Sequence, residues 1–159
     1  MPPLHLIPYT TAGDEDVLTL CEDSTGLLVG PKDRRLQRAG IFAIAARGEA
    51  YHKAACQAGD FSPGASVRLV REPDNEHDPN AVAILAEGHR TRAAYVNKGK
   101  ARSLAKILDK GIELRAISLR GTASGRVCDQ ITVLAAAPEV VEHLLSPRPD
   151  HLPRPAHLG

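Results

Sequence analysis

Tryptophan is absent from the 159 residues, and only five are aromatic: Phe42, Phe61, Tyr9, Tyr51 and Tyr95. A core must therefore rest on Ala, Val, Leu and Ile, and each Tyr is informative because its hydroxyl needs a partner when buried. The three cysteines, Cys21, Cys56 and Cys128, are odd in number, dispersed and without a C-x-x-C pair. That excludes a disulfide framework and a sequence-local thiolate zinc site, leaving buried reduced thiols. No apolar run approaches the roughly 20 residues that span a bilayer, and residues 1–16 lack the basic-then-apolar layout of a secretion signal. A soluble, cytoplasmic chain is expected. Its length suits one domain and is short for two.

The formal net charge of +1 hides a strong polarity. Residues 88–126 carry ten Lys or Arg against two acids, a local charge of +8, so the remainder sums to −7. Residues 1–30 hold five acids and no Lys or Arg. Such a distribution suits one anion-attracting face rather than a bulk coat for duplex DNA; the plain alternative is a solvated helix face with scattered lysines.

Residues 17–21 and 27–29 are short apolar runs separated by Glu-Asp-Ser-Thr-Gly, which predicts a β-hairpin. Residues 41–46 predict a strand, and the Ala-rich residues 51–58 a short helix closed by a left-handed cap at Gly59. Strands are predicted at 67–72, 81–86 and 91–96, the last two joined by a hairpin loop containing Gly88. In residues 98–110 the helical spacing of Ala101, Leu104, Ala105 and Leu108, with Asn97 as N-cap and Gly111 as terminator, predicts a helix. Strands at 113–120 and 131–135 follow, then a short helix opened by Pro138 and running to Leu145. Residues 146–159 contain four prolines and are expected to form an extended, flexible tail. Together these elements predict a mainly β fold with short helices: a small β-barrel decorated by helices.

The segment Arg-Glu-Pro-Asp-Asn-Glu-His-Asp-Pro-Asn-Ala at 71–81 is the most distinctive part of the chain. Its Asp and Asn residues bond their own backbone and stiffen turns. Asp74, Glu76, Asp78 and Asn80 alternate as calcium-loop ligands do, but Pro79 stands where Gly is needed and Leu85 where a bidentate Glu belongs. His52, Cys56 and His77 offer a weak zinc pattern. Glu72, Asp74 and Asp78 offer a magnesium-dependent nuclease pattern, without a phosphate-binding Gly-Lys loop or a Ser-centred elbow to support catalysis. A third reading is a protein-interaction adaptor working through the Pro-rich tail.

Leu-Val-Arg-Glu-Pro-Asp-Asn-x-His-Asp-Pro-Asn-Ala-Val at 69–82, Tyr-Val-x-Lys with its following helix at 95–108, and Gly-Glu-Ala-Tyr-His at 48–52 resemble the HIRAN domain. The resemblance covers roughly residues 40–120. It implies that residues 39–136 form a six-stranded barrel of the OB/SH3-like kind; the residues on either side are read from the sequence itself, 1–38 as an acidic N-terminal β-hairpin extension, 137–145 as a C-terminal helix and 146–159 as the tail. It implies a non-enzymatic module, without a cofactor, that binds single-stranded DNA at its free 3′ end in DNA repair or replication-fork processing, with a helicase or nuclease as possible partner protein.

Carried over by position, the resemblance makes Asp78 the acceptor for the terminal 3′-hydroxyl, a donor that an internal phosphodiester lacks. Tyr51 and His77 would present ring faces to a base, with His52 beside them. Tyr95, Asn97, Lys98 and Lys100 would meet the backbone, together with the N–H groups that open the following helix. Arg47 would substitute for the Arg that a DNA-binding relative carries at Ala50, and Arg71 would add backbone charge. The plain structural roles are a turn cap for Asp78, core packing for Tyr51 and Tyr95, an exposed loop position for His77, and a solvated helix face for the lysines.

Overall fold

Two groups of strands share one strip of apolar packing. The computed structural model describes residues 1–128 and 130–156. Strands β1 (Leu4–Thr10), β2 (Asp16–Glu22) and β3 (Leu28–Val29) form an antiparallel sheet in the order β1-β2-β3, with Leu4 opposite Glu22 and Thr10 opposite Asp16. The expected hairpin is the β2–β3 pair; β1, which runs through Pro8, adds an edge strand that the apolar runs did not indicate. A five-residue helix α1 (Arg34–Arg38) follows, its first turn capped by Asp33 Oδ1, which accepts from Arg35 N at 2.9 Å.

The expected six-stranded barrel then closes in the order β4-β7-β6-β5-β8-β9. Its strands are β4 (Phe42–Arg47), β5 (Ser66–Arg71), β6 (Val82–Ala86), β7 (Ala94–Val96), β8 (Arg115–Arg120) and β9 (Thr132–Ala136). All pairings are antiparallel, and the seam is β4 against β9, with Phe42 opposite Ala135 and Ala45 opposite Thr132. Three helices decorate it: α2 (Lys53–Ala58), α3 (Lys98–Asp109) and α4 (Pro138–Leu145). The strand expected at 91–96 pairs as a strand only over Ala94–Val96, and Thr91 and Arg92 are exposed.

Side chains alternate across a strand, and both faces are used here. In β9, Val133 and Ala135 point into the barrel with Ile44, Val82, Ile84, Phe61 and Leu104, whereas Leu134 and Ala136 join a second cluster. That cluster contains Leu4, Leu6 and Leu20 of the N-terminal sheet, Leu36 of α1, Ile117 of β8, and Val141 and Leu144 of α4. Hence β9 reads as a continuous apolar run. The scarcity of aromatics is met by a narrow interior lined with Ala46, Ala86, Ala94 and Ala135 around a single fully buried Phe61.

Gly59 is not the left-handed cap expected of it: its φ is −82°. It is constrained by packing instead, since a Cβ there would collide with that of Ala86 and stand 2.9 Å from Phe61 Cε2. Gly111, by contrast, follows the α3 cap with φ +75°, as expected of a terminator.

From Ser146 the chain returns across the N-terminal sheet. Arg148 Nη2 donates to the Asp23 carbonyl at 2.9 Å and the Glu22 carbonyl at 3.4 Å, and Ala156 N donates to the Gly26 carbonyl at 3.0 Å. Gly26, at φ +73°, has no room for a Cβ beneath the Arg154 carbonyl. The flexible tail expected at 146–159 is thus tied down through residue 156; residues 157–159 lie outside the described residues. Among the described residues no helix is long and apolar enough to cross a membrane.

Candidate nucleic-acid interface

The loop between β5 and β6 is held by its own polar side chains. Asn75 Oδ1 accepts from the backbone N–H groups of His77 (2.9 Å) and Asp78 (3.1 Å), while its Nδ2 donates to Glu72 Oε1 at 3.1 Å. Asp78 Oδ1 accepts from Asn80 N at 2.8 Å, and the Asp78 carbonyl accepts from Ala81 N at 3.0 Å. These are the Asx-type turns that Asp and Asn favour, and among the described residues none donates to Asp78 Oδ2.

The loop is braced from outside. Tyr95 donates its hydroxyl to Glu72 Oε1 at 2.8 Å, and Arg92 stands 3.8 Å from Glu72 Oε2 and 5.8 Å from the Tyr95 ring centroid. Burial, followed by the bond to Glu72, raises the Tyr95 pKa above 10.0, so the hydroxyl stays a donor at neutral pH. Arg71 clamps the base of the loop, with Nε 2.9 Å from Asp109 Oδ1 and Nη1 2.8 Å from the Ala81 carbonyl. Its guanidinium is engaged in structure.

Beside this loop lies an open cleft of about 590 Å³, lined by Arg47, Asn75, His77, Asp78, Tyr95, Asn97, Lys98 and their small neighbours. Six of the ten residues expected at the interface therefore meet: Arg47, His77, Asp78, Tyr95, Asn97 and Lys98. Register explains part of this, because Arg47 at the end of β4 pairs with Tyr95 of β7. Asn97 precedes α3 as expected, but its side chain makes no cap bond; its Oδ1 is buried at the cleft wall and has no partner among the described residues. Lys98 is exposed at the start of α3, and Arg102 and Lys106 continue its face at intervals of four residues.

The other four stand outside the lining. Gly48, at φ +85°, turns the chain out of β4 into a 3-10 turn at Glu49–Tyr51, pinned by Glu49 Oε2 accepting from Ile131 N at 3.2 Å. Tyr51 is consequently displayed to solvent, 88% exposed, rather than packed in the core. His52 sits 6.2 Å from the Tyr95 ring centroid, tilted by 57°. Lys100 is half-buried on α3, and Arg71 is held as described.

The metal patterns do not assemble. Among the described residues neither Glu72, Asp74 and Asp78 nor His52, Cys56 and His77 bring three ligand atoms together. Cys56 is buried, donates to the Ala93 carbonyl at 3.2 Å, and has its thiol pKa pushed by burial to about 11. Asn75, which organises the loop, escaped the sequence reading of the site, although an Asn within so dense an Asp/Asn run was the available signal.

A family model for the HIRAN domain matches residues 39–134, more than half of the 159. Two solved structures are similar to this chain. One is the crystal structure of the HIRAN domain of human HLTF, 19% identical with a TM-score of 0.47, covering 66% of this chain and 83% of that one. The other is a protein from Lactobacillus plantarum, 22% identical with a TM-score of 0.44, covering 61% of this chain and 99% of that one. No curated protein sequence matches the chain. The closed six-stranded barrel and the match across it identify the chain as a member of the HIRAN family, whose domains are in general DNA-binding modules.

Proposed function

We infer that this protein binds single-stranded DNA at a free 3′-hydroxyl end, as a non-catalytic module acting in DNA repair or replication-fork processing. The observation that carries the reading is the cleft where Asp78, its loop fixed by Asn75, faces the same space as Arg47, Lys98 and Asn97 Oδ1, unpartnered among the described residues. A terminal hydroxyl donates to Asp78 Oδ2, whereas a terminal phosphate meets a carboxylate of like charge. Arg47, Lys98 and Lys100 then neutralise the phosphates of the preceding nucleotides. The exposed rings of Tyr51 and His77 stack on bases, an interaction worth about 1–3 kcal/mol per base.

The test compares fluorescence anisotropy of the full chain with labelled oligonucleotides ending in 3′-hydroxyl, 3′-phosphate or a 3′-blocking group. The 3′-hydroxyl strand is expected to bind at least tenfold more tightly than the others, and log K to fall with log salt at about −0.7 per phosphate neutralised. Equal affinity for the three ends removes the role assigned to Asp78. Cleavage of the strand in Mg²⁺ or Mn²⁺ that Asp78→Ala abolishes would replace binding by catalysis.

A further inference from the structure

We propose that His5, Asp23 and His143 form a binding site for one divalent transition-metal ion that fastens the N-terminal sheet to α4. Among the described residues this is the one place where three such side chains converge, one ligand atom from each lying within 4.8 Å of the others. The three come from β1, the turn after β2, and α4, and all stand outside residues 39–134.

His5 is an ionisable ring only 4% exposed, and its Nδ1 lies 2.7 Å from Asp23 Oδ1. The His143 ring stands against it, with centroids 4.7 Å apart at 46°, and its Nε2 lies 2.9 Å from the Pro2 carbonyl. Tetrahedral ligands about 2.0–2.1 Å from zinc are about 3.3 Å from one another, so side-chain adjustments of about 1 Å bring these atoms to coordination distance. The ion takes the place of the proton between His5 and Asp23, and water completes the shell from the Asp23 side, which is 18% exposed.

Two imidazoles and one carboxylate select zinc and its neighbours cobalt and nickel; calcium and magnesium require more oxygen ligands. Arg148 is the nearby cation. Its Nη2 is committed to the Glu22 and Asp23 carbonyls, and its Nε stands 3.9 Å from Asp23 Oδ1, beyond hydrogen-bond distance, so both carboxylate oxygens stay available to an ion on that side.

The full chain, freed of metal, is titrated with Co²⁺ while the visible spectrum is recorded, and with Zn²⁺ by calorimetry. One equivalent, with the absorption of tetrahedral cobalt, is expected. At free Zn²⁺ 100-fold above Kd, Tm should rise by about 5–10 °C. His143→Gln and Asp23→Asn, each checked for native circular dichroism, should lose the spectrum and the Tm shift, whereas His151→Gln keeps both. The absence of stoichiometric binding by the unaltered chain overturns the proposal, as does binding that persists in both folded variants.

Discussion

Tyr95 and Glu72, 23 residues apart, are joined by a 2.8 Å hydrogen bond from the phenol to a carboxylate that also holds Asn75. The bond ties β7 to the loop that carries Asp78, so barrel packing and loop geometry depend on one another. Tyr95→Phe keeps the ring and removes the donor. It should lower unfolding stability by about 1–2 kcal/mol, as expected for a hydrogen bond to a charged group that is only half-buried, measured by urea denaturation.

The same bond carries a pH signature. The Tyr95 pKa is raised in the folded chain, by burial first and then by Glu72, so its contribution is complete below pH 10 and is lost as pH rises through the higher folded value. Cys56, raised from 9.0 to about 11 by burial, erodes stability in the same direction between those values. Both effects are present in the unaltered protein, and only that of Cys56 survives in Tyr95→Phe. The stability difference between the two proteins should therefore narrow from pH 9 towards pH 11.5; a difference that stays constant assigns the loss to other groups.

Asp78→Asn separates charge from turn geometry. The amide oxygen still accepts from Asn80 N, so the loop and the melting temperature should change little. Loss of the charge-assisted bond should weaken binding of a 3′-hydroxyl strand about tenfold, close to 1.4 kcal/mol. Binding of a 3′-phosphate strand should strengthen because the repulsion is gone. Anisotropy titrations with the two strands check both directions.

The barrel was legible because local chemistry and tertiary packing agree over most of it. Helix α3 announced itself by Ala101, Leu104 and Ala105, which are buried, and by Gly111, whose positive φ ends it. The turn-forming Asp and Asn residues marked the loop before β6. What escaped depends on partners remote in sequence. Arg71 reads as a free cation until Asp109, 38 residues on, is seen to hold it. Strand β1 carries Pro8 and exists because β2 and α4 cover it, and the Pro-rich tail is ordered by carbonyls near residue 23.

Gly59 shows how a correct residue can be assigned for the wrong reason. Its φ of −82° suits any residue, so Gly59→Ala adds no backbone strain; it forces a methyl against Ala86 and Phe61. Overpacking of this kind should destabilise by about 1–3 kcal/mol. Ala86→Gly opens space on the facing side and should recover part of that loss. A double-mutant cycle in urea measures the coupling, and additive effects would disprove the contact.

Deleting residues 146–159 tests whether the returning segment serves the fold or the interface. It removes the Arg148 bonds to the Glu22 and Asp23 carbonyls and exposes the close approach at Gly26, all on the sheet that lies outside the cleft lining. Arg148 is nearly buried, and its loss takes the 2.9 Å donor from the Asp23 carbonyl at a half-buried turn, while the Glu22 carbonyl keeps the N–H of Gly26, so the truncation should lower stability by about 1–3 kcal/mol. Affinity for a 3′-hydroxyl oligonucleotide should stay within twofold at a temperature where both proteins are folded. Arg148→Ala alone should reproduce most of the stability loss. A truncation that leaves stability unchanged but weakens DNA binding would mean that the segment acts on the ligand rather than on the sheet.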